Sequence, residues 1–434
     1  MQKKLIILGG NPETGVLVDI AVSMGIHTIV VDPNPNAPAK KNATESYEID
    51  GFDVDGIVSF ARKRNVDGVL VGVADILVKP YWEICKKLDV PCYATEKSVE
   101  AFCSKDGYKK YCEQYGVKDI PGIYLLRDSD YEKPNNIDFP LMVKPVDSAA
   151  GVGMRICRDI EDYSATVKRV LNNSRKGVVL VEKYMDRSCD DMAVYYTFRN
   201  GISYLSATFD RQLTRLQGDS SPIALGTVYP SKHTKRFVKE VHPKLCTMFE
   251  GLNIKAGVLC IQLFVENNIF YSYDPGFRLQ GEAPHIHLAH INGFDHRKML
   301  INYALTGKFG EEDFHEQNDY MMGGKAACSV WVLLKGGKID SIKGLDKIKA
   351  HKNVHFVVER FKVGDTVKEE WVGTERQVLY RIYTAGESIF EINQAIEDIK
   401  NTMTVTDENG DDMVIEWLKP WNTEDYIFNQ NPID

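Results

Sequence analysis

Lys144 interrupts an apolar run, Pro140-Leu-Met-Val-Lys-Pro145, and a stretch of small residues, Ser148-Ala-Ala-Gly-Val-Gly153, follows almost at once. A lysine at a strand end usually does no more than face water. A lysine followed by a loop of small residues offers a cation and open backbone N–H groups, which together suit a polyphosphate. Lys144, Ser148, Gly151 and Gly153 are therefore candidate phosphate contacts. A second segment, Val178-Val-Leu-Val-Glu-Lys-Tyr-Met185, reads as a buried strand leaving at an acid, Glu182. An acid beside an apolar floor can accept from an adenine amino group while the floor covers the ring. A third segment, Ile269 to Glu282, sets Asp274 and Arg278 at the end of another strand, where Mg²⁺ and an anionic group can meet. Each of these signals is weak alone, and together they describe one site for a magnesium nucleotide.

In this order and spacing the segments resemble the ATP-grasp superfamily, with parallels in biotin carboxylase, the carbamoyl-phosphate synthetase large subunit and the ATP-grasp enzymes of purine synthesis. Glu182-Lys-Tyr-Met185 looks like the hinge of biotin carboxylase, and Gln262 to Glu282 keeps that enzyme's spacing of two metal acids, an arginine and a glutamate. The resemblance implies ATP with Mg²⁺, or Mn²⁺ as the alternative ion. It gives Glu182 to the adenine amino group and the backbone of Lys183, Tyr184 and Met185 to the ring edge. It gives Asp191 to the ribose, with Asp190 as its neighbour. It also makes Lys105 a nucleotide cation, although Ser104 can equally be read as a plain helix cap. Asp274 and Gln262, twelve residues apart, become the metal positions, while Arg278 and Glu282 sit over the reacting centre with Lys144. Two positions depart from the pattern: Gln262 stands where the family has an acid, and Gly276 where it has asparagine. A neutral Gln262 should weaken metal binding. Glu266 reads as a solvated turn residue. Asp210-Arg211 and Tyr229-Pro-Ser231 fall where relatives form acceptor-side loops. His285, His287 and His290 have the wrong periods for a zinc triad, and at most one of them is expected near substrate.

The elements that must carry these residues can be read from the pattern. Residues 3 to 104 alternate apolar strands (5–8, 28–31, 69–73) with helices (15–24, 55–64), which predicts a parallel sheet. Gly9, Gly10 and Gly15 with the later Asp32 do not keep the spacing of a dinucleotide fingerprint. A helix is expected from Ser104 to Tyr115, another over 160–172, a hairpin turning at Asn200-Gly201, and one long helix from Lys232 to Leu252. Strands near 327–334, 354–360 and 378–383 and a helix over 388–403 follow. The expected fold class is mixed α/β and α+β, an ATP-grasp fold. The expected division is a Rossmann-like N-terminal domain (1–104), a nucleotide-binding domain (105–322) and a barrel-like C-terminal domain (323–434).

At 434 residues the chain needs more than one core, and 44% hydrophobic with 26% charged residues is ordinary for a globular protein. Fifty-three basic against sixty-one acidic residues leave a net charge of −8, which offers no basic footprint for nucleic acid. No apolar run is long enough to span a membrane, and the nine cysteines form no CxxC pair, which points to reduced thiols in a cytoplasm. The expectation is a ligase that activates a carboxylate as an acyl phosphate, releases ADP and phosphate, and joins it to an amine, its partners being these small molecules and a second copy in a homodimer. The alternatives are carboxyphosphate chemistry from bicarbonate, or a nucleotide-binding regulatory protein without turnover, given Gln262 and Gly276.

Overall fold

The computed structural model describes residues 2–127, 129, 131–146, 153–186, 188–214, 222–310 and 314–427. The chain opens with β1 (Lys4–Leu8), α1 (Pro12–Ser23), β2 (His27–Val31), β3 (Glu45–Tyr47), α2 (Val54–Arg64), β4 (Gly68–Val71) and α3 (Val78–Leu88). Its strands form a parallel sheet in the order β3-β2-β1-β4. Leu5 to Leu8 are apolar at every position because that strand is covered on both faces. Helix α1 starts three residues before the expected Gly15. Asn11 caps it by accepting from the Thr14 N–H at 2.9 Å, and Pro12 fills the first turn, where no N–H is needed. That early start places Glu13 in the first turn, where it is buried.

Two helices, α4 (Glu96–Phe102) and α5 (Lys105–Tyr115), lead to a small antiparallel sheet. It consists of β5 (Gly122–Leu126), β6 (Leu141–Pro145), β7 (Arg155–Cys157) and β8 (Val178–Lys183) in the order β5-β8-β6-β7, backed by α6 (Tyr163–Leu171). The expected hairpin follows as β9 (Asp190–Arg199) and β10 (Ile202–Leu213). Asn200 and Gly201 both take positive φ, 54° and 83°, the turn that matches strand twist. Next come β11 (Ala224–Tyr229), α7 (Thr234–Glu240) and α8 (His242–Gly251). The single helix expected over 232–252 is thus broken. Pro243 has no N–H to donate, and its ring would meet the carbonyl four residues back, so α8 restarts with Pro243 in its first turn.

The remaining elements are β12 (Ala256–Glu266), β13 (Ile269–Gly276), α9 (Pro284–Ile291), α10 (His296–Thr306), α11 (Phe314–Gln317), β14 (Ala326–Leu333), β15 (Gly337–Lys338), β16 (Ser341–Lys343), α12 (Leu345–Lys349), β17 (Val354–Glu359), β18 (Thr366–Val367), β19 (Val378–Gly386), α13 (Ile389–Thr402) and β20 (Thr404–Thr406). The long strands make an eight-stranded antiparallel sheet, β13-β12-β9-β10-β11-β14-β19-β17. Because β14 pairs with β11, hydrogen bonding runs straight across the division expected at 322/323. Of the stretch expected as a barrel-like domain, β14, β19 and β17 join this sheet, while β15 with β18 and β16 with β20 pair in two-stranded sheets. The reason lies in β11 and β14, whose residues are all buried and which therefore need a partner strand on both edges. One apolar core joins the N-terminal sheet to β9, β10 and β12. A second lies between β14, β19 and α13, and a third lies under the small sheet. Among the described residues no helix is long and apolar enough to cross a membrane.

Candidate active site

Lys144 and Glu182 are diagonal neighbours on one face of the small sheet, since Met142 pairs with Glu182 and Lys144 with Leu180. Both are buried, and the Lys144 ammonium pairs with the Glu182 carboxylate. A second cation, Lys109 of α5, stands 3.8 Å from the other oxygen of Glu182. The phosphate lysine and the adenine acid expected at opposite ends of a nucleotide therefore touch, because two residues of offset across an antiparallel pair is a contact distance. Lys105 lies on the same side, its ammonium 3.4 Å from the carbonyl oxygen of Pro145. Ser104 does cap α5, accepting from the Gly107 N–H at 3.2 Å, so the cap and the nucleotide reading of Lys105 coexist. Of the phosphate loop, Gly153 is described and has φ 77°, whereas Ser148 and Gly151 lie outside the described residues.

The hinge is more committed than its sequence suggests. The N–H groups of Lys183 and Tyr184 already donate to the carbonyls of Pro121 and Pro140, at 2.9 and 3.2 Å. The side chain of Lys183 pairs with Glu266, so Glu266 is a partly buried partner and not the solvated turn residue expected. Met185 packs with Ile120 and Cys189, edged by Phe264, Tyr271 and Tyr273. That is an apolar floor suited to a flat ring.

At the metal positions, Gln262 of β12 and Asp274 of β13 sit directly opposite each other, and the register shifts just after them. Asp274 opens toward solvent at the strand end. The atoms crowding its carboxylate raise its pKa by desolvation, and the charge of Asp75 adds to the rise. The charges of Lys105, Lys144 and Arg278 pull the other way. Arg278 is buried and pairs with Asp75, from the loop after β4, and with the side chain of Gln280. Gly276 lies against this pair: a Cβ there would stand 2.9 Å from Asp75 Oδ1. The donor set of one carboxylate and one amide oxygen suits Mg²⁺, which keeps several waters and completes its shell on phosphates. Among the described residues no group of three His, Cys, Asp or Glu is placed to hold a metal.

Asp191, Arg211 and Glu282 form a third group. Arg211 Nε is 3.4 Å from Asp191 Oδ1 and 3.2 Å from Glu282 Oε1. Arg211 lies in β10 and Tyr229 in β11, strands where loops were expected. Neighbouring Asp210 faces the other way, accepting from Ser231, Lys232 and Tyr426. Asp190 likewise turns from the site to Lys232 and His233, at 2.9 and 2.8 Å. Behind Glu282, the fully buried Arg381 donates to the Gly281 carbonyl, lies 4.0 Å over the Trp331 ring and pairs with Glu13 and Glu375, each at 2.9 Å. Arg381, Glu13 and Asp75 escaped the sequence reading, since none lies in a motif and only the fold brings them together. His285 is buried. His287 bonds Ser329 at 2.9 Å and His355 at 3.1 Å, and His290 stacks on His355 at 4.2 Å.

Residues 105–190 match the family model of the carbamoyl-phosphate synthase L chain, ATP binding domain. A formate-dependent phosphoribosylglycinamide formyltransferase of Prochlorococcus marinus (strain MIT 9515) is 26% identical over 187 residues, covering 42% of this chain and 48% of that one. The chain thus spans about half the length of that curated relative, 48%. The fold superposes on phosphoribosylglycinamide synthetase from Anaerococcus prevotii with a TM-score of 0.75 at 16% identity, covering 94% of this chain and 100% of that one. It superposes on the biotin carboxylase domain of Hydrogenobacter thermophilus 2-oxoglutarate carboxylase with a TM-score of 0.73 at 15% identity, covering 94% and 91%. That domain was crystallised as a dimer with MgADP, ADP and bicarbonate.

Proposed function

We propose that this chain, which has the ATP-grasp fold and an ATP-binding segment of the carbamoyl-phosphate synthase L chain type, is an ADP-forming carboxylate–amine ligase. The observation that carries the reading is the pairing of Asp274 directly across from Gln262 at the end of β12 and β13, with the charges of Lys105, Lys144 and Arg278 acting on the Asp274 carboxylate. Cations gathered at one carboxylate suit a transferring phosphoryl group whose charge is also shared with a divalent ion. ATP with Mg²⁺ supplies the phosphoryl group that turns a carboxylate into an acyl phosphate. Lys144 and Lys105 hold phosphate oxygens, and Asp274 with the Gln262 carbonyl faces the metal. Arg278, released from Asp75, receives the carboxylate or acyl-phosphate oxygens through its planar fork. Glu282 stands ready to take a proton from the nucleophile. No covalent enzyme intermediate is required. A homodimer belongs to the proposal, supported by the dimeric state of the carboxylase domain.

A second reading has its own support. The metal pair carries one charge, and Arg278 is engaged by Asp75, as suits a nucleotide sensor that does not turn over. Release of ADP and phosphate from MgATP, measured over pairs of carboxylates and amines, separates the two. Turnover that needs both members of one pair establishes the ligase. MgATP binding without ADP release across a broad panel would favour the sensor.

A further inference from the structure

The metal position between Gln262 and Asp274 is one charge short, because the Gln262 amide carries none. A further carboxylate comes to it from the N-terminal part of the chain. Asp75 opens the short 3-10 turn Asp75–Leu77 that follows β4, and its side chain is 47% exposed, so a hydrated ion can reach it. Its Oδ2 accepts from Nη2 of Arg278, whereas its Oδ1 lies against Gly276. A Cβ at 276 would stand 2.9 Å from that Oδ1, so the Asp75 carboxylate lies where a side chain at 276 would point. The pairing of β13 with β12 is regular here, with Asp274, Pro275 and Gly276 opposite Gln262, Ile261 and Cys260. Side chains alternate along a strand, so positions 274 and 276 share one face about 7 Å apart. Asp75 is therefore the next group along that face from Asp274, and its negative charge adds to the rise of the Asp274 pKa. Two carboxylates held side by side repel, and a divalent ion between them turns the repulsion into attraction.

We infer that Asp75 is a ligand of the magnesium ion, moving to it from Arg278 when the nucleotide enters and supplying the charge that Gln262 lacks. This rests on the nucleotide site of the ligase reading and adds to it a residue from outside the nucleotide-binding strands. The donor set becomes two carboxylates and the Gln262 amide oxygen, and phosphate oxygens and water complete an octahedral shell. One carboxylate serves either the guanidinium or the ion, so metal entry and the release of Arg278 are a single event. Nη1 of Arg278 keeps the Leu279 carbonyl, at 3.1 Å, and the Gln280 side chain, so the guanidinium stays oriented while Nη2 is freed. The freed group then faces the anionic substrate. Nucleotide and metal thus prepare the substrate's arginine, and by linkage the substrate tightens the metal in return.

The test follows ADP binding to the full chain by calorimetric titration at stepped Mg²⁺ concentrations, a readout that needs no turnover. Asp75→Asn keeps the size and removes the charge, and it is expected to raise the Mg²⁺ concentration for half-maximal ADP affinity roughly tenfold. Asp75→Cys separates ligation from a charge acting at a distance. A thiolate is a soft ligand, so this variant is expected to shift the ratio of the Mg²⁺ and Cd²⁺ midpoints toward Cd²⁺ by about tenfold relative to wild type. A side chain that only holds Arg278 in place would lower the melting temperature and move neither the midpoint nor the ratio. An Asp75→Asn midpoint equal to that of wild type overturns the assignment, and so does an unmoved metal ratio in Asp75→Cys. Either variant decides should the other not fold. Wild type that binds ADP only with Mg²⁺, beside variants that behave identically, removes Asp75 and leaves the ligase reading standing. Wild type that binds no ADP at any Mg²⁺ concentration removes both.

Discussion

Lys144 and Glu182 carry the clearest consequence at the scale of single residues. Charge-assisted bonds of a lysine to phosphate contribute roughly 1.5–3 kcal/mol, so Lys144→Met should weaken MgADP binding by about tenfold to a hundredfold. Glu182 keeps Lys109 at 3.8 Å, so the variant should still melt cooperatively. Calorimetric titration beside a thermal scan checks both. A lost melting transition would mean that Lys144 holds the fold through Glu182. Gln262 and Asp274 face each other across one register pair, so a charge added at one is felt by an ion at the other. Gln262→Glu should lower the Mg²⁺ concentration needed for half-maximal nucleotide binding, and Asp274→Asn should raise it more strongly. An unchanged requirement in Gln262→Glu would remove residue 262 from the metal.

At the scale of elements, the loops after the N-terminal strands insert acids beneath the site. Glu13, set by the early start of α1, lies 2.7 Å from Arg360 and 2.9 Å from Arg381, and so joins α1 to β19. Removing one partner from a buried ion pair costs on the order of 3–5 kcal/mol, the low end applying here because Arg381 retains Glu375. Glu13→Gln should therefore lower stability by about 3 kcal/mol in urea unfolding. The pH dependence has a definite sign. Arg381 and Arg360 outweigh burial and hold the Glu13 pKa below its ordinary value of 4.5. Its stabilisation is present in full above about pH 4.5 and is lost as the pH falls through the lower folded value, so the gap between wild type and variant should close in acid. A gap unchanged down to pH 3 would show that the ion pair contributes nothing.

At the scale of the whole molecule, the candidate site draws on the N-terminal sheet through Asp75, on the small sheet through Lys144 and on the central sheet through Asp274 and Arg278. A ligand binding there and not to the unfolded chain stabilises every part that encloses it, by about 2.7 kcal/mol at a hundredfold excess over its dissociation constant. MgADP should raise the melting temperature with one cooperative transition, because one apolar core joins the N-terminal strands to β9, β10 and β12. A transition that splits, with one component unmoved by MgADP, would show that the N-terminal part does not help form the site.

Elements whose causes are local were legible in the spacing of side chains along the chain. Period-two and strand–helix patterns located most strands, Asn200-Gly201 marked the hairpin, and the resemblance to the ATP-grasp superfamily set Gln262 beside Asp274. The break before Pro243 was missed, because the apolar pattern across 232–252 reads as one helix. The rest depends on folding in three dimensions, because contacts between residues far apart along the chain leave no trace in local spacing. Asp75 reaches Arg278 from the segment after β4, more than two hundred positions away in the chain. Glu182 meets Lys144 through strand offset, and β14 joins β11 because both edges of a buried strand must be hydrogen-bonded. Arg211, unremarkable between Asp210 and Gln212 in the sequence, becomes the centre of a buried charged cluster once β9, β10 and the segment after β13 bring two acids to it.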